Sequence, residues 1–73
     1  MDIEYTIQIW QEKAQFVAHA IPLDVMSSGT TPELARHALK EAVDLFLTTA
    51  AEVGTLREIL ERDKYFALLE QVR

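Results

Sequence analysis

Between residues 16 and 47 the hydrophobic period of this chain switches from two to about 3.6 residues, with a turn and a helix start between the two regimes. Ahead of the turn, Phe16, Ala18 and Ala20 alternate with Val17, His19 and Ile21, the pattern of a half-buried strand. Ser28-Gly29-Thr30 is turn chemistry. Thr31-Pro32-Glu33 then supplies a capping hydroxyl, a proline at the first helical position and a carboxylate beside the positive helix end. With Thr30 as the cap instead, Glu33 would complete a capping box. Beyond it, Ala35, Ala38, Leu39, Ala42, Val43, Phe46 and Ala50 recur every three or four residues, so one stripe faces a core, and Leu34, Leu45 and Leu47 widen it. Strands leading straight into one long amphipathic helix define an α+β fold, a sheet with the helix packed on it.

The same reading extends in both directions. Ile3, Tyr5, Ile7 and Ile9 alternate with Glu4, Thr6, Gln8 and Trp10, which predicts a first strand over residues 3–10. Residues 11–15 form a polar, hairpin-length connection to a second strand over residues 16–21. Pro22 cannot donate to a ladder and marks a strand end, an edge or a bulge, and residues 23–27 supply a third short strand. Sequential strands this close predict an antiparallel three-stranded meander. The helix is expected over Pro32–Val53 with Gly54 as its stop, and Thr55-Leu56-Arg57-Glu58 restarts a short second helix. Residues 65–69 read as a fourth strand, although positions 65, 68, 69 and 72 also fit helical spacing. There is no linker, repeat or low-complexity tract, so residues 1–73 read as a single domain.

Composition narrows the function classes. At 73 residues, folding buries only about 60% of the unfolded chain's surface, and a domain of this size leans on a staple or a partner. The absence of cysteine excludes disulfides and thiolate metal sites, and suits a reducing cytoplasm. No apolar run approaches the roughly 20 residues of a membrane helix. Asp2 and Glu4 stand where a secretion signal carries Lys or Arg, so a cytoplasmic, soluble protein is expected. Seven basic against twelve acidic residues give a net charge of −5. The basic side chains are scattered and outnumbered, so direct nucleic-acid binding is not expected; an acidic surface steers toward basic partners, but −5 is first of all an ordinary solubility charge. A hydrophobic share of 49% is generous for so short a chain and leaves surface for an oligomer interface.

No catalytic constellation stands out. His19 reads as a strand side chain on an open or interfacial face, and His37 as half of an i,i+4 pair with Glu41 on the wet side of the helix, with Lys40–Asp44 as a second pair. Neither histidine has a nucleophile or second histidine at motif spacing, and two glycines are too few for a phosphate-cradling loop. Glu41 and Asp44 are one turn apart but read as solvated rather than as metal ligands. No catalytic residue, metal site or cofactor is expected, and the chain does not read as an enzyme. Trp10, the one tryptophan, falls on the strand face opposite Ile7 and Ile9, where an indole suggests a contact surface, a satellite packing role or shielding by the C-terminal segment.

Several segments, in order and with matching spacing, resemble the HicB family of small bacterial antitoxins. They are Tyr5-Thr6-Ile7-Gln8-Ile9; Phe16-Val17-Ala18; the series Leu23, Asp24, Val25, Ser27, Gly29, Thr31, Glu33 and Ala35; and the run from Leu39 to Leu47. The resemblance covers roughly residues 3–62, and its matched positions Gly29, Thr31 and Glu33, with Pro32 between the last two, are turn and helix-start residues. It implies a cytoplasmic, dimer-forming antitoxin with a degraded ribonuclease-H-like α+β fold. The partner it implies is a small, basic ribonuclease of HicA type, neutralised when its active surface is covered. Trp10, Glu12, His19 and Asp24 are the residues expected at that contact, and the dimer is expected through the uncovered sheet face or a strand edge. The chain departs from the family at Ile21-Pro22-Leu23, where members usually carry Pro-Glu. It also ends at Arg73 without the DNA-binding domain many members carry, so operator binding is not expected. The alternative is an orphan structural or small-ligand-binding oligomer on the same fold, with no toxin.

Overall fold

A computed structural model describes residues 3–71 of the chain. Three strands, β1 (Thr6–Glu12), β2 (Gln15–Ile21) and β3 (Val25–Gly29), precede a long helix α1 (Pro32–Val53) and two short ones, α2 (Leu56–Arg62) and α3 (Phe66–Leu69). The sheet is an antiparallel meander in the order β1-β2-β3 with α1 packed on one face, the α+β architecture expected.

The strand ends differ from those read off the sequence, each for a local reason. The Thr6↔Ile21 pair is the first of the β1–β2 register, because the chain turns at Pro22, and residues 3–5 stay outside the ladder. The Glu4 carbonyl instead accepts from the Tyr65 hydroxyl at 2.6 Å. At the other end the hairpin connection shrinks to Lys13-Ala14, with Lys13 at φ 55° and Glu12 paired with Gln15. β3 starts two residues later than expected. The Ile21-Pro22 bond is cis, Asp24 sits at φ 61°, and its N–H donates back to the Ala20 carbonyl at 2.8 Å, so Leu23 and Asp24 belong to the turn.

Thr31 is the cap of α1: its Oγ1 accepts from the Leu34 N–H at 3.1 Å, with Pro32 and Glu33 in the first turn. Gly29 is the last residue of β3 and, unlike Gly54, has no positive φ. Its lack of a side chain permits close approach, since a Cβ there would lie 2.6 Å from the Ala35 nitrogen. Gly54 closes α1 at φ 83°, and the Thr55 N–H returns to the Ala50 carbonyl at 2.8 Å, a Schellman-type end.

The core lies between α1 and the sheet. Ala18, Ala20, Leu23, Ala35, Leu39 and Val43 are buried, with Ile7, Ile9, Phe16 and Val25 packed around them. Ala50, Leu56 and Leu60 form a second cluster where α2 folds back on α1. Of the leucines expected to widen the helix stripe, Leu47 is half-buried, whereas Leu34 and Leu45 stay 53% and 68% exposed.

The fourth strand expected over residues 65–69 is absent; the segment is helical. Lys64, at φ 63°, reverses the chain, Tyr65 donates to the Leu60 carbonyl, and the Leu68 and Leu69 N–H groups donate to the Tyr65 carbonyl. The segment thereby satisfies its backbone locally and needs no strand neighbour. Val72, part of the helical alternative, lies outside the described residues. No helix among them is long and apolar enough to cross a membrane.

Candidate functional site

Pleating sends alternate side chains to the face of the sheet that α1 does not cover. From β1 these are Thr6, Gln8, Trp10 and Glu12; from β2, Val17, His19 and Ile21; from β3, Met26 and Ser28. No described helix packs on this side, and neither α2 nor α3 reaches Trp10. Its middle is apolar, with Trp10, Val17 and Ile21 half-buried among their neighbours and Met26 54% exposed.

Three of the four residues expected at a partner contact meet here. His19 pairs with Gln8 in the ladder, which places Trp10 diagonally across from it. The two rings stand edge to face, with centroids 6.3 Å apart and planes at 89°. On its other side the imidazole Nε2 lies 2.7 Å from Asp24 Oδ1, so the carboxylate accepts from the ring. His19 is 22% exposed by side chain and Asp24 81%, so the carboxylate stays largely open to solvent. Glu12, the fourth, lies at the hairpin tip on the same face, where it lines a shallow groove with Lys13, Ala14, Gln15 and Val17. The Asp24–His19 contact escaped the sequence reading because it depends on the turn at Ile21-Pro22, whose geometry spacing alone does not give.

A flat indole, an imidazole fixed edge-on to it and an exposed carboxylate match a guanidinium or ammonium group, which stacks on aromatic faces and donates to carboxylates. On α1, His37 and Glu41 do pair, at 2.9 Å, with both side chains exposed. The expected Lys40–Asp44 pair does not form among the described residues. Asp44 instead acts on Tyr5, whose phenol is pushed above its ordinary 10.0 by burial and then by this carboxylate. No group of three or more His, Asp or Glu side chains among the described residues is placed to hold a metal ion. No protein-family model, curated protein or solved structure matches the chain.

Proposed function

We propose that this chain is a protein-binding module of antitoxin type, a cytoplasmic, non-enzymatic dimer that neutralises a small basic ribonuclease of HicA type by covering its active surface. The observation that carries this reading is the uncovered sheet face, on which Trp10, His19 and Asp24 converge. The net charge of −5 supports it, since opposite charge accelerates encounter with a basic partner. So does the HicB-like order of motif residues, which occupy the meander, its turn and the helix start.

The test is co-purification from the native cell extract, followed by a ribonuclease assay with and without the chain. A small basic protein recovered in stoichiometric amount, whose RNA cleavage stops when the chain is added, is the expected result. A second reading, an orphan oligomer without a toxin, is favoured by the exposed apolar flank of α1 around Leu45 and Val53. Recovery of the homo-oligomer alone would put that reading first.

A further inference from the structure

The flank of α1 turned away from β1 is largely apolar and is exposed at Leu34, Leu45 and Val53, its C-terminal half lining an open groove with Thr55 and Ile59. Leu34, Ala38, Ala42, Leu45, Thr49 and Val53 recur along it every three or four residues, one ridge along the helix. Leu34, Leu45 and Val53 are 53%, 68% and 67% exposed. The orientation follows from the opposite flank, where Asp44 acts on Tyr5, just ahead of β1, and Leu47 joins Ile3 against the cluster of Ala50, Leu56 and Leu60. The ridge therefore stands on the β3 side of the helix, and α1 itself lies mainly over β3. β3 is an edge strand, and Val25-Met26-Ser27-Ser28-Gly29 carries neither charge nor proline, the usual protection of an open edge.

Surface area points the same way. The chain exposes 5230 Å², whereas a folded monomer of 8.3 kDa exposes roughly 4600 Å². Each partner of a standard interface covers roughly 800 Å², an area this surface can supply. The radius of gyration, 13.2 Å, likewise exceeds the roughly 11 Å of a compact domain of this length.

We propose that a second copy of the chain docks on this flank, the two α1 ridges antiparallel about a two-fold axis and the β3 edges covered beside them. A two-fold contact must be self-complementary. Reversed about its centre, the ridge sets Leu34 against Val53, Ala38 against Thr49 and Ala42 against Leu45, so the exposed central leucine meets a small residue. This locates the dimer of the proposed function and needs nothing of the toxin. It leaves the face around Trp10 open.

The test is sedimentation velocity of the purified chain alone, with Leu45→Glu, Val53→Glu and, as a control, Phe66→Glu, which is exposed on α3. The wild type and the Phe66 variant should sediment at twice the 8.3 kDa chain mass, and the other two at the chain mass with unchanged far-UV circular dichroism. Because the chain has no cysteine, Ala42→Cys should also cross-link into a covalent dimer on mild oxidation and Phe66→Cys should not, a readout independent of the charged variants' folding. A wild type that is monomeric at every concentration, or a dimer untouched by both ridge variants and not cross-linked through position 42, overturns the proposal. Either outcome leaves the binding of a basic partner to be judged separately.

Discussion

A single methyl group has opposite meanings at the two glycines. At Gly29 it would meet the Ala35 nitrogen at 2.6 Å and the Leu34 carbonyl carbon at 2.8 Å, backbone atoms that cannot swing aside. Gly29→Ala must therefore push β3 and α1 apart, an overpacking cost of about 1–3 kcal/mol. At Gly54 the new methyl meets nothing within 4 Å, and the penalty is that of holding alanine at φ 83°, about 1 kcal/mol. Urea denaturation of both variants should show the larger loss at Gly29; equal losses would mean the strand–helix contact yields. A second residue-scale effect sits at Tyr65, whose hydroxyl donates to the Glu4 carbonyl and whose phenol is pushed above 10.0 by burial and then by Asp63. Its neutral form is thus favoured by folding. The stabilisation is fully present below pH 10.0 and is lost as pH rises through the folded value. Tyr65→Phe should cost about 0.5–1.5 kcal/mol near neutral pH, and its deficit against wild type should shrink in alkali. A deficit that is constant with pH would count against a burial-raised phenol.

Among the elements, α1 was the most legible. Its cap, its proline, its apolar period and its terminal glycine all act within a few residues, and its bounds agree with the pattern. The sequence left Thr30 and Thr31 both open as caps, and the hydrogen bond to the Leu34 N–H selects Thr31. Thr31→Ala should accordingly lower stability by about 1 kcal/mol, measured by thermal or urea unfolding, while Thr30→Ala changes little; the reverse order would reassign the cap. What the sequence did not yield was decided at a distance. Phe66, Ala67, Leu68 and Leu69 suit either period, and the Leu68 and Leu69 N–H groups, donating to the Tyr65 carbonyl, make them helix. Leu34 and Leu45 fit the core period but lie at the margin of its arc, beyond the area that a sheet with β3 at its edge can cover. The site was half legible: alternation set Trp10 and His19 on one face, but only the turn after β2 brings in Asp24.

At the scale of the whole molecule, two associations are proposed on two different surfaces, and one chain reports on both. Two copies each carrying −5 repel, so self-association through the apolar ridge of α1 should strengthen as salt screens that charge. Binding of a basic partner to the sheet face is steered by opposite charge and should weaken over the same salt range. Asp24→Lys and Glu12→Lys should reduce partner affinity and flatten its salt dependence while leaving the sedimentation of the chain alone nearly unchanged. Trp10, the one tryptophan, stands on the sheet face and not on the ridge, so its fluorescence separates the events. Dilution from dimer to monomer should leave the emission maximum where it is, whereas saturation with the basic ribonuclease should shift it to the blue as the indole leaves water. A shift on dilution alone would mean that copies meet across Trp10. In that case the dimer and the toxin would compete for one face, and inhibition would require the dimer to open first.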